Sequence, residues 1–142
     1  MSDQIISVEL ACLPIAKMQD VMLARFAGRD EATKLGFAPV VLTRVATAIS
    51  EITRNVIQHA GAPGEIRLDK ISSLDQPGLR ITVSDHGKGI ERAERFLEDA
   101  TIGTLGAGLA GTRRLADRFH LQSSPGTGTI VTLDFWRREE KT

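Results

Sequence analysis

The spacing of hydrophobic and polar positions changes several times along the chain, and each change marks an element. Ile6, Val8 and Leu10 alternate with polar neighbours, the period-two pattern of a half-buried strand over residues 5 to 12. Between positions 14 and about 34, Ile15, Met18, Met22 and Phe26 recur near helical spacing and predict a helix, with Gly28 as a point of interruption. The next stretch is the most regular. Pro39 suits a first helical turn, Val41, Val45, Ile49, Ile52 and Val56 form one apolar stripe, and Gly61 supplies the stop. Residues 65 to 72 and 79 to 85 alternate as strands, joined through Leu74-Asp75-Gln76-Pro77-Gly78 as an antiparallel hairpin. Positions 86 to 107 are glycine-rich and lack a period. A short helix over about 108 to 118 then leads to a last hairpin, residues 119 to 124 and 129 to 136 around Pro125-Gly126-Thr127-Gly128. All five prolines fall at these edges, and the tail from Arg137 onward reads as frayed.

The order β-α-α-β-β-loop-α-β-β joins consecutive strands by hairpins. It predicts an α+β two-layer sandwich, a mixed and mostly antiparallel sheet with helices on one face, in preference to a doubly wound parallel sheet. At 142 residues the chain fits one domain over positions 1 to 142, able to bury roughly 68% of its unfolded surface. Eighteen basic residues balance eighteen acidic ones, which disfavours a nucleic-acid partner. Six aromatics, none of them Tyr, argue weakly against a base-stacking platform. Cys12 has no second cysteine to pair with and reads as a small apolar residue in a reducing compartment. No leader pattern and no apolar run near ~20 residues is present, so a cytoplasmic protein without a membrane span is expected.

Candidate chemistry gathers in four places. Glu51, Asn55 and His59 stand at i, i+4 and i+8 along one side of the strong helix. A carboxamide can ligate a hard cation such as Mg2+, and a carboxylate one turn away can take a proton or position a water; a plain solvated helix face fits the same spacing. On the strand ending at Asp85, parity puts the carboxylate on the apolar face with Leu79, Ile81 and Val83. There it can accept from an amino-bearing ring such as adenine or cap nearby amides, and Gly87 and Gly89 allow close backbone approach. Six of the 13 glycines lie between positions 87 and 111. Gly106 to Gly111 matches the dinucleotide pattern G-x-G-x-x-G, but no strand precedes it and no acidic residue follows about 20 positions later. What remains is a run of backbone amides leading into a helix N-terminus, suited to phosphate, behind a loop long enough to act as a lid. Thr129 shares parity with Val131, Leu133 and Phe135 and can back up Asp85, directly or through a water, or simply sit beside a turn.

Together, Glu51-x-x-x-Asn55 on a helix, Asp85-x-Gly87-x-Gly89-Ile90 after a strand, Gly106-x-Gly108-Leu109 before a helix, and Gly128-Thr129 opening a strand resemble the Bergerat ATP-binding fold of the GHKL superfamily. Within it the chain is similar to the bacterial anti-sigma-factor serine/threonine kinases. The stretches 49 to 55 and 105 to 115 look most like the RsbT branch, the switch kinases of the stressosome. The resemblance implies ATP and Mg2+ as ligands, Glu51 as general base, Asn55 as metal ligand, and Asp85 as acceptor for the adenine amino group. It further implies that Gly87, Gly89 and Ile90 pack beside the base, that Gly106, Gly108 and Leu109 close over the phosphates, and that Thr129 supports the adenine contact. The implied partners are a STAS-domain protein of the RsbS/RsbR type, phosphorylated on Ser or Thr, and a downstream effector such as a phosphatase or another output domain. Sporulation-type relatives carry a lid Arg where Leu105 precedes Gly106 here. The phosphate-facing cation therefore falls to Arg54, Lys88, Arg113 or Arg114, with Arg54 preferred as the neighbour of Asn55 although it lies about 100° around the helix. The competing reading is an ATP-gated binding switch, an anti-sigma factor or effector activator with little catalysis.

Overall fold

A computed structural model of the chain describes residues 4–87 and 111–138. The order is β1 (Ile6–Ile15), α1 (Met18–Lys34), α2 (Pro39–Asn55), a π-helical turn (Val56–Ala60), β2 (Gly64–Ser73), β3 (Gln76–Asp85), a helical turn at residues 111–115, β4 (Arg118–Ser124) and β5 (Gly128–Trp136). The strands form one sheet in the order β1-β2-β3-β5-β4, and each described pair is antiparallel. Ala24 and Ala32 of α1 and Val45, Ile49 and Ile52 of α2 join Ile66, Leu68, Ile81, Val83 and Leu133 in one core. The helices thus cover one sheet face, the expected α+β sandwich. Ile49 and Ile52 are almost fully buried, each contributing roughly 1.5–3 kcal/mol.

Several expected boundaries move for identifiable reasons. The first strand runs on through Pro14 and Ile15, residues assigned above to a helix. Pro14 lies opposite Glu65 on β1, an edge strand, where a missing N–H costs no ladder bond. The helix that follows starts at Met18, where the Asp20 carboxylate accepts from the amides of Ala16 and Lys17, both at 2.9 Å. Its Met18, Met22 and Phe26 stripe faces solvent, each more than half exposed, while Val21, Ala24, Gly28 and Ala32 are buried. The small residues are inside because α2 comes close: a Cβ on Gly28 would collide with Ile49 Cδ1. Gly28 therefore sits within an unbroken helix.

The β2–β3 connection is shorter than expected. Ser73 pairs with Gln76, and only Leu74 and Asp75 form the turn, at φ of 49° and 64°. Two positive φ values are the geometry of a twist-matched two-residue hairpin. Pro77 and Gly78 join the strand, where the Pro77 carbonyl accepts from Arg137 N at 2.8 Å. Arg137 also donates to the Leu35 carbonyl at 3.2 Å and Arg138 pairs with Asp117 at 3.0 Å, so the tail's first two residues are tied down. Cys12, exposed on β1, lies 3.7 Å from Glu65, and partial burial and that carboxylate push its thiol up.

The helix-free face carries a row of charges in register, Asp69 opposite Arg80, Arg80 opposite Asp134, Asp134 opposite Arg118. Arg80 grips Asp134 with two bonds of 2.8 and 2.9 Å, and these hold the guanidinium's pKa above its ordinary value.

Candidate functional site

The site grows from the end of α2. Glu51 and Asn55 stand one turn apart on a flank beside the apolar stripe, both partly buried. Behind them Ser50 and Thr53 are buried, their hydroxyls turned back onto the carbonyls of Ala46 at 2.9 Å and Ile49 at 2.6 Å. After Asn55 the helix widens into the π turn and ends at Gly61, whose φ is +74°. The wider turn takes His59 out of the regular i, i+4, i+8 row expected of a straight α-helix. Two nitrogens on this segment, Asn55 Nδ2 and His59 Nε2, are buried without a hydrogen-bond partner among the described residues. Buried polar groups are satisfied as a rule, so these two nitrogens call for partners beyond the described residues.

Asp85 ends β3 on the inner face, as parity required, and is buried. Its Oδ1 accepts from the Gly87 amide at 2.9 Å. The local-capping role is therefore real, and among the described residues it occupies one carboxylate oxygen only. Strand and helix ends meet here. A Cβ on Gly64 would lie 3.1 Å from Val56 of the π turn and 3.2 Å from Asp85 Cβ, and one on Gly87 would collide with the Ala60 carbonyl. The chain needs glycine at 87 because the strand exit lies directly against the helix exit.

On the other side, Thr129 faces Asp85 in register. Its hydroxyl is 2.8 Å from Ser123 Oγ and forms no bond to Asp85. Ser123 also donates to the Gly128 carbonyl at 3.0 Å. Reading the sequence missed Ser123: parity with Phe119 and Leu121 was the one available signal, and its pairing with Thr129 emerges only from the sheet register. Gly128, at φ +109°, lets the turn pass over Asp85, whose carbonyl a Cβ would strike. A hollow of about 500 Å³ at this sheet end is lined by Asp85, His86, Ser123 and Thr129, together with Glu65, Gln122 and Ile130 from the helix-free face.

The structure thus draws Glu51, Asn55, Asp85, Gly87 and Thr129 to neighbouring element ends. Gly89, Ile90, Gly106, Gly108 and Leu109, and the lid they were expected to form, lie outside the described residues. Arg54 donates Nη1 to Glu51 Oε1 at 3.0 Å, with side chains 40% and 38% exposed. Glu51 lies between Arg54 and Asn55 around the helix, so the guanidinium leans toward the site flank despite the 100° between Arg54 and Asn55.

The described residues hold no group of three or more His, Cys, Asp or Glu able to hold a metal; the carboxamide oxygen of Asn55 is the kind of single ligand that Mg2+ accepts from a protein. No described helix is long and apolar enough to cross a membrane.

Comparison with known proteins bears on the family of the chain. Residues 16–135 match the histidine kinase-like ATPase domain. The chain is 40% identical over 130 residues to the serine/threonine-protein kinase RsbT of Bacillus subtilis, covering 90% of this chain and 97% of RsbT. It is 28% identical over 125 residues to an anti-sigma F factor of Thermoanaerobacter sp. (strain X514), covering 84% and 87%. Among solved structures, the histidine kinase domain of the Erythrobacter litoralis EL346 blue-light activated kinase aligns with a TM-score of 0.51 at 30% identity, covering 68% of this chain and 44% of that one. The SiaB-SiaC complex from Pseudomonas aeruginosa aligns with a TM-score of 0.56 at 13% identity over 90% of each chain, a likeness of fold. A helix ending in paired carboxylate and carboxamide, a strand ending in a buried Asp, and these matches across nearly the whole length place the chain in the histidine kinase-like ATPase family, among its RsbT-type serine/threonine protein kinases.

Proposed function

We propose that the protein transfers the γ-phosphoryl group of ATP to a serine or threonine of a STAS-domain protein, as one step of a bacterial partner-switching pathway. The observation that carries this reading is the placement of Asn55 one turn from Glu51 on a helix whose end lies against the Asp85–Gly87 strand exit, with Asn55 Nδ2 left without a partner among the described residues. Asn55 would hold Mg2+ and Asp85 the adenine amino group through its second oxygen. Gly87, with Gly89 and Ile90, would flank the base, Gly106, Gly108 and Leu109 would cover the phosphates, and Thr129 would brace the Asp85 end through Ser123. Glu51 takes the proton from the acceptor hydroxyl; the acceptor oxygen forms its bond to the γ-phosphorus as the bond to the β,γ-bridging oxygen breaks, and ADP leaves. Mg2+ held by Asn55 would supply charge neutralisation to the phosphates.

The described chain offers no acceptor of its own in a histidine-kinase setting: His59 sits within the site helix, His86 at the strand exit and His120 on strand β4. The acceptor belongs to a second protein, and a downstream effector binds once that partner is phosphorylated and released. The test is incubation with γ-labelled ATP, Mg2+ and a STAS protein encoded by the same genome, followed by mapping of the label. Label on a partner Ser or Thr, lost with Glu51→Ala while ATP still binds, is the expected result. No transfer by the wild type overturns the reading. Robust signalling by Asn55→Ala, unable to bind Mg-ATP, would favour a nucleotide-gated binding switch.

A further inference from the structure

We infer that Arg54 is a phosphate sensor that exchanges its ion pair with Glu51 for the γ-phosphate when a triphosphate binds. This rests on the reading of the site as an ATP site and adds a role for Arg54 beyond that of a nearby cation. Three observations carry it. First, Arg54 Nη1 holds Glu51 Oε1 at 3.0 Å, so the residue placed to accept a proton has one oxygen engaged by a cation. Second, the pair is 40% and 38% exposed, and ion pairs so exposed are weakly held and readily exchanged. Third, Glu51 separates Arg54 from Asn55 around the helix, so a guanidinium that reaches Glu51 has only to swing past it to reach a phosphate beside Asn55.

The exchange has a clear driving force. A terminal phosphate carries more charge than a carboxylate and presents an edge that a guanidinium grips with two parallel bonds. Left in place, the Glu51 carboxylate would meet the γ-phosphate with like charge. Moving the arginine between them removes that repulsion and frees the carboxylate oxygen for the acceptor hydroxyl. A diphosphate lacks the group that draws Arg54 away, so ADP leaves the ion pair intact. Arg54 is thus a positioning residue toward Glu51 and a discriminator between ATP and ADP.

The experiment is titration calorimetry of Mg-ADP and of a magnesium complex of a non-hydrolysable ATP analogue, with melting temperature as a check on folding. Wild type is expected to prefer the triphosphate. Arg54→Gln should cut that preference roughly tenfold, the scale of a lost charged hydrogen bond, with ADP affinity little changed. Arg54→Lys should restore part of it. Glu51→Gln, which releases the arginine in advance, should tighten the triphosphate about two- to fivefold relative to ADP while abolishing transfer. A triphosphate-to-diphosphate ratio unchanged in both Arg54→Gln and Glu51→Gln overturns the sensor and leaves the kinase reading standing. A wild type that binds neither nucleotide overturns both.

Discussion

Asp85→Asn separates the two roles that one carboxylate can play at the end of β3. In the structure Oδ1 accepts from the Gly87 amide at 2.9 Å. Asparagine keeps an oxygen for that bond, so the turn survives and stability should change by less than about 1 kcal/mol. The second position becomes an NH2 donor. Facing an adenine amino group, a donor then meets a donor, and a buried hydrogen-bond match is replaced by a mismatch costing about 1–3 kcal/mol. That corresponds to roughly 5- to 150-fold in Kd. Calorimetry with Mg-ATP gives the affinity and a urea melt gives the stability. The two must part company: weaker binding with an unchanged denaturation midpoint. Affinity equal to wild type would take Asp85 out of the nucleotide pocket and leave it as a turn cap. A large fall in stability would mean that the carboxylate is needed for the turn itself.

Other outcomes follow from named contacts. Arg80→Ala strands the Asp134 carboxylate, 1% exposed, without its bidentate partner and should cost about 3 kcal/mol in urea unfolding, whereas pairing Arg80→Met with Asp134→Leu should recover most of that loss; a single-mutant cost under about 1 kcal/mol contradicts a role for the pair. Gly128→Ala forces a side chain onto φ +109° against the Asp85 carbonyl, and a melting temperature lower by roughly 5–10 °C is expected. Asp20 is held below its ordinary carboxylate range by the amides of Ala16 and then Lys17. A lowered folded-state pKa stabilises above the unfolded value and is lost as pH falls through the folded one. Acidification below about pH 4 should therefore loosen the start of α1 in wild type, and hydrogen exchange there should lose this pH dependence in Asp20→Asn.

Much of the site was legible because its signals are periodic. Glu51 and Asn55 share a helix flank by count alone, and parity put Asp85 and Thr129 on the inner face, where the structure has them. What escaped were choices made by tertiary contact. The apolar Met18, Met22 and Phe26 stripe looked like a core face, but α2 approaches too closely for large residues, and the small Ala24, Gly28 and Ala32 took the inside. Leu74 is not a residue expected at φ 49°, so the turn was drawn too long. Pro14 looked like a boundary because only the sheet order reveals that its strand has a free edge. Ser123 lay on a short strand of mixed character, and its partner was fixed by a register that no local pattern encodes. The Asp69, Arg80, Asp134 and Arg118 row is invisible for the same reason.

The π turn at Val56–Ala60 has a consequence for how such a site changes over time. It carries one residue more per hydrogen-bonded ring than the α turn it replaces. Deleting one residue within this turn would keep the helix continuous, yet it would swing the chain's exit toward β2 by about 100°. Ala60 would then leave Gly87, and the strand and helix ends would no longer meet. At this point the site depends on the number of residues more than on their identity, so a change in chain length can silence it where many substitutions would pass.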